Sequence, residues 1–569
     1  MNRRILFSAM TMLLCLALAD SGRAEPAESP SSAASELQAA IESAHEPIFD
    51  GLGDLHHPVT SNSKLAQRFF DQGLTFVYAF NHDEAAGSFE EAAHLDPGMA
   101  MAYWGIALSL GPNINLPEDT DRGKLAYAAI AKAQSLEANA SKPERDYIDA
   151  LARRYAPDGK MKEALQGAYA NAMREVARRN PIDPDAGALF AESMMDLHPW
   201  ALWTLDGKPV AGTDEIVATL EGVMAKYPDH IGANHYYIHA IEASPDPGRA
   251  LASARRLPKL APAAGHLVHM PAHIYFRIGD YDASAAANLQ AIKADKVYLR
   301  ERNPKGIYPM MYVPHNIQFL WFSYMMEGYS RGAFKASREL DDAVPLEMVR
   351  QMPMAEFMLP TRYFTEARFG KWDAILKEPA PPADLTYTTA VWHYARGLAL
   401  AAKNRPGDAL NEKKKLDEIV AATPPERVVG FNSANRLLAM GSATLAGEID
   451  SAQGHHDDAI KHLKEAVAMQ DALNYEEPPS WYYPVRETLG MELLADGKMA
   501  DAEQVFREDL KQYPENGWSL NGLSICLRAR HASDEAVSVD ARLKKAWAHA
   551  DVTLPASAAS SENKTLSLM

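Results

Sequence analysis

Cysteine is nearly absent from this 569-residue chain. There are two, Cys15 and Cys526. Cys15 lies in an N-terminal apolar run that reads as a cleaved leader, so the mature chain keeps Cys526 alone. A lone thiol excludes an internal disulfide and a thiolate-rich metal site. Basic residues are in deficit, with 57 Lys and Arg against 75 Asp and Glu and a formal charge of −18. That balance argues against a nucleic-acid partner, whose phosphates demand Lys and Arg, and against a polybasic membrane patch. Beyond the N-terminus no apolar run is long enough to span a bilayer. A phosphate loop, a dinucleotide fingerprint, a nucleophile elbow and a Cys/His dyad are all missing, so no nucleotide or flavin is indicated.

The N-terminus has the parts of a secretory signal: Arg3 and Arg4, the apolar stretch Ile5 to Ala19, and the small-residue site Gly22-Arg23-Ala24. Residues 1–24 are therefore expected to be removed, which takes the charge from −18 to −20 through loss of Arg3, Arg4, Arg23 and Asp20. The expected location is periplasmic or secreted. Leu14 before Cys15 is too bulky for a lipoprotein site. Residues 25–62, rich in Ala, Ser, Pro and Glu, read as a flexible leader with one short helix, and 553–569 as a disordered tail.

Between them, apolar residues recur at three- and four-residue spacing, punctuated by Gly and Pro, and no convincing alternating strand pattern occurs. One segment carries Gly73, Phe76, Ala85, Phe89, Ala92 and Pro97 at characteristic offsets. The pattern returns at Gly447, Ala459 and Ala466, at Gly490, Ala502, Phe506 and Pro514, and at Gly397 and Ala409. Small residues are needed where paired helices approach closely, and Pro ends a helix. On these residues the chain resembles the tetratricopeptide-repeat family over most of 63–550, as an exported bacterial-type member. The resemblance implies an all-α superhelix of about 10–12 helical hairpins, with N-terminal units over 63–182, central units over 183–347 and C-terminal units over 348–552. Leu197 to Gly212, with Pro199, Trp200 and Trp203, is an insertion too long for a repeat turn. Such repeats specify architecture far better than function.

The chemically informative stretch is one pair of contiguous 34-residue units, Ile231–Ala264 and Gly265–Tyr298. His235, His239 and Glu242 are the fifth, ninth and twelfth residues of the first; His266, His269 and His273 are the second, fifth and ninth of the second. The spacings put each set on one stripe of a helix. In the resembled family those positions line the concave groove. The next unit adds His315 and Gln318 at its second and fifth positions. Two imidazoles at i and i+4 can chelate one ion, and neighbouring helices lie about 8–10 Å apart. His235, His239, Glu242, His266, His269, His273 and His315 are thus the expected metal ligands. Six imidazoles exceed one tetrahedral ion, so either two ions bind or some histidines support the others. Glu242 is also the candidate base toward a metal-bound water. Glu192, Tyr236, Tyr275 and Gln318 are expected to line the groove, with Tyr237 as a further nearby phenol.

Imidazole and carboxylate without thiolate suit zinc, copper or iron. The following methionines, Met310, Met311, Met325 and Met326 among them, suit copper(I) or simply fill gaps between helices. A metal-free groove, a pH-sensitive patch and a purely structural cluster are the alternatives for the histidines. Three functional readings follow. The first is an exported scaffold that binds a protein or peptide in its groove and carries a metal there. The second is a hydrolytic or oxidative metalloenzyme on that scaffold. The third is a periplasmic copper or zinc delivery protein. Asn81-His82-Asp83-Glu84 reads as a helix cap, and Trp392-His393-Tyr394 and Trp481-Tyr482-Tyr483 as packing between repeats.

Overall fold

The computed structural model describes residues 30–554; the expected signal 1–24 and nearly all of the expected tail lie outside them. Helix follows helix throughout. The one two-stranded pairing among the described residues joins Val428–Val429 to Asn432–Ser433. No described helix is long and apolar enough to cross a membrane. The chain divides into two compact units, residues up to 274 with 290–308, and 275–289 with 309 onward. The division runs through the long helix Tyr281–Arg302 and falls inside the expected central block 183–347.

In the first unit the helices Lys64–Tyr78 and His82–Leu95 form a hairpin whose closeness depends on glycine. The Phe89 ring lies where a Cβ on Gly73 would stand, at 2.9 Å, and a Cβ on Gly105 of the following helix Ala100–Leu110 would come within 2.3 Å of it. One aromatic plug thus fills the notch of its own hairpin and of the next. The second unit repeats the device: Phe506 meets the Cβ positions of Gly490 at 2.4 Å and Gly522 at 2.2 Å. In both cases the plug sits sixteen residues after one glycine and sixteen before the other. This is tetratricopeptide-type packing, and it makes the fold an all-α array of helical hairpins. Where Leu463 replaces the aromatic, it fills the notch of Gly447 at 2.6 Å.

Residues 30–62, expected as a leader, contain the helix Pro30–Glu42, whose Ala33, Leu37 and Ile41 are buried at four-residue spacing. The stretch after it is bonded to the first unit. The backbone of Phe49 donates to Gln72 (2.8 Å), Thr60 Oγ1 to Glu144 (2.7 Å), and Ser61 Oγ to Asp96 (2.7 Å). Asn81 does stand at the start of its helix but makes no side-chain cap; its helix opens without one. In the second unit the aromatic cluster packs as expected: Tyr482 stacks on Phe364 at 4.5 Å, and its hydroxyl meets that of Tyr394 at 3.1 Å. Cys526 is buried there, and burial pushes its thiol up to about 12.

Candidate metal centre

The helix Ile231–Glu242 begins where His230 caps it. Its Nδ1 accepts the Ala233 amide at 2.9 Å, so its proton is on Nε2, which donates to Asp185 at 3.0 Å. Three residues C-terminal to the last histidine, Glu242 closes the helix. The partner segment is broken: Gly265–His269 is followed by Pro271–Arg277, because Pro271 has no N–H to continue the ladder. Even so, His269 and His273 face each other across the break.

All six predicted side chains of this pair of segments belong to the first unit, and none is more than 6 % exposed. His235 Nδ1 lies 2.7 Å from the Tyr78 carbonyl, His239 Nδ1 2.8 Å from Glu242 Oε1, and His273 Nδ1 2.5 Å from Glu242 Oε2. These oxygens only accept. Each Nδ1 therefore carries its proton, and each Nε2 is the atom turned inward. That is how metal-binding imidazoles are held: the outer nitrogen on a carboxylate or carbonyl, the inner one free to ligate. His235 Nε2 stands 3.1 Å from His266 Nε2, and His269 Nε2 2.9 Å from His273 Nε2. The donor nitrogens of His235, His239 and His266 lie within 4.8 Å of one another. Two nitrogens at ~2.0–2.1 Å from one tetrahedral ion are about 3.3 Å apart, so this trio needs only small movements to enclose one. His239 Nε2 has no hydrogen-bond partner among the described residues.

Electrostatics agree with the protonation pattern. Burial, aided by His239, holds His235 well below the usual imidazole range, and burial also lowers His239 against the opposing pull of Glu242. Both imidazoles are thus neutral at neutral pH. Burial alone would raise the Glu242 carboxyl, but His273 and His239 outweigh it and bring it down to about 2.

Two aromatic rings close the site, and neither was among the predicted site residues. Phe80 stacks on His239 at 5.8 Å and on His266 at 5.6 Å, and meets His235 edge-on at 4.6 Å. Trp200 meets His239 edge-on at 5.5 Å. Both hold left-handed backbone, with φ of 55° and 59°. A bulky residue there costs of order 1–3 kcal/mol and persists only where the surroundings impose it. Trp200 belongs to the insertion 197–212, which lies against the histidine helix: Trp203 Nε1 donates to the Ala240 carbonyl at 2.8 Å. The insertion was legible as an anomaly; its position was not. Tyr78 was invisible for a simpler reason, since it contributes a backbone oxygen.

The other predicted residues are placed elsewhere. Tyr236 is buried beside His235 and Phe80. Tyr237 turns away, its hydroxyl donating to Glu221 at 2.6 Å. Glu192 is sealed in a separate group with Asp196, Arg154 and Tyr169, where burial and Asp196 raise its carboxyl well above the usual range. Tyr275, His315 and Gln318 belong to the second unit. The expected concave, solvent-lined groove is corrected for the histidines of the first unit: they are interior. A further imidazole–carboxylate group, which the sequence did not single out, surrounds Asp185. Its carboxylate accepts from Tyr78 Oη (2.5 Å), His57 Nδ1 (2.8 Å) and His230 Nε2. It thereby fixes the ring of the residue whose carbonyl holds His235.

A scan against protein families finds no match, and a search of curated proteins finds none. Among solved structures, a human IFIT1 dimer with m7Gppp-AAAA aligns at 14% identity over 90% of this chain and 99% of its own, with a TM-score of 0.34. Yeast Tom70 aligns at 11% over 83% and 90%, with a TM-score of 0.29. At such scores neither informs on what this chain binds.

Proposed function

We propose that this chain is an exported helical-repeat protein that holds a divalent transition ion through His235, His239 and His266, and that its repeat surface engages a protein or peptide. The observation that carries the metal reading is the convergence of donor nitrogens from three imidazoles, with the outer nitrogen of His235 pinned by the Tyr78 carbonyl and that of His239 by Glu242. Imidazole donors without thiolate suit zinc, copper(II) or iron(II). The ion would polarise whatever fourth ligand it takes. The chain's own contribution is to fix ring orientation, keep His235 and His239 neutral and exclude water with Phe80 and Trp200. Glu242 serves this reading as the carboxylate that aims two imidazoles, since each of its oxygens faces an Nδ1. Burial of every donor favours a retained ion over one passed on rapidly. The export and partner parts of the proposal rest on the N-terminal sequence and the repeat architecture.

The test is elemental analysis of the chain purified from its native compartment without chelators. Bound zinc, copper or iron whose amount per chain falls in His239→Gln with His266→Gln, while helical circular dichroism remains, supports the reading. A chain that is metal-free as purified and takes up none on reconstitution removes it.

A further inference from the structure

Resting on that reading, we infer that the centre holds two ions, the second on His269 and His273. The two histidine pairs are built alike. Ring centroids are 4.9 Å apart in His235/His266 and 4.8 Å in His269/His273, while His266 and His269, one from each pair, stand 5.9 Å apart. Each pair presents Nε2 to Nε2 at about the spacing that two ligands of one ion adopt, 3.1 Å and 2.9 Å.

Glu242 divides its carboxylate between the two. Oε1 takes His239 Nδ1 on the first side, and Oε2 takes His273 Nδ1 on the second. An imidazole whose outer nitrogen is held by a carboxylate is a better and better-aimed ligand. A purely structural role for His269 and His273 needs one Nε2–H···N bond and does not explain why His273 receives the same orienting carboxylate as His239. His269 and His273 are buried, at 0 % and 1 % exposure, so their nitrogens face protein and not bulk water. When the ion binds, any proton shared between the two Nε2 atoms leaves to solvent and both nitrogens ligate. The second ion thus has two imidazoles from this pair and completes its coordination with other donors, which suits zinc or copper.

The experiment loads the full mature chain with excess Zn²⁺, removes free metal by desalting, and counts zinc per chain. Two ions are expected in the wild type and one in His269→Gln, with helical circular dichroism unchanged. His235→Gln with His266→Gln is expected to keep one. One ion in the wild type, or two in a folded His269→Gln, overturns the second site and leaves the first intact. None in the wild type overturns both. The wild-type count decides the matter even if a variant fails to fold.

Discussion

His235 donates its Nδ1 proton to the backbone carbonyl of Tyr78, 157 positions earlier in the chain, at 2.7 Å. A backbone acceptor cannot be removed by substituting the side chain, but its placement can be disturbed. The Tyr78 hydroxyl is anchored on Asp185 at 2.5 Å. Tyr78→Phe, which cuts that anchor, should weaken zinc binding by less than tenfold while leaving the ligands in place. Competition against a chromophoric chelator measures it.

Glu242→Gln should weaken metal binding by about 10–100-fold, the usual effect of losing an orienting carboxylate. Gln can accept through one oxygen only, so one of the two imidazoles loses its acceptor and meets an amide NH₂ instead. The same titration reads the loss. An unchanged affinity would mean that Glu242 does not position these rings.

Phe80→Asn replaces a strained aromatic with a residue that accepts left-handed backbone. Deleting a buried Phe ring costs about 3–5 kcal/mol, and relieving the strain returns roughly 1–3 kcal/mol. A net loss of about 2 kcal/mol is expected in urea unfolding. Bound metal should also exchange faster with chelator, because the ring that covers His239 and His266 is gone.

Gly105→Ala and Gly522→Ala push a methyl into Phe89 and Phe506, at 2.3 Å and 2.2 Å. Overpacking of this kind costs about 1–3 kcal/mol. Pairing Gly105→Ala with Phe89→Leu should recover part of the loss, because the smaller side chain vacates the notch. Additive losses in the double variant would sink the plug-and-notch account of the hairpins.

His82 is buried beside Asn113, and burial together with Arg122 and Arg154 lowers its pKa from 6.5 to about 3. Below pH 6.5 the unfolded chain binds a proton at this residue that the native chain refuses until about pH 3. Its contribution to stability is therefore complete above pH 6.5 and is lost as pH falls toward 3. Urea midpoints measured across that window should fall less steeply for His82→Gln than for the wild type.

Much of this was readable in the chain. The glycine and aromatic offsets declare the hairpins because notch and plug are local: Gly73 and Phe89 lie in one hairpin, and helix geometry converts spacing into contact. The histidine stripe was legible for the same reason, and the four-residue step from His235 to His239 suffices to align two rings. Other assignments required the third dimension. Tyr237 sits next to Tyr236 in sequence, yet one packs against His235 and the other bonds to Glu221 on the other side. Glu192 was drawn to the site by its charge, but burial and Arg154 placed it in a different group.

Sequence alone determined that this is a helical-repeat chain and that five imidazoles and a carboxylate fall on two neighbouring stripes, since both follow from the period of the α-helix. Tertiary structure decided that the stripes are interior and that Nε2 points inward. It also brought Tyr78, Phe80 and Trp200 to them. Those outcomes depend on segments as far apart in sequence as Phe80 and His266 meeting in the first unit, and no local period carries that information. The same burial that hides His235 and His239 from solvent is what holds their imidazoles neutral.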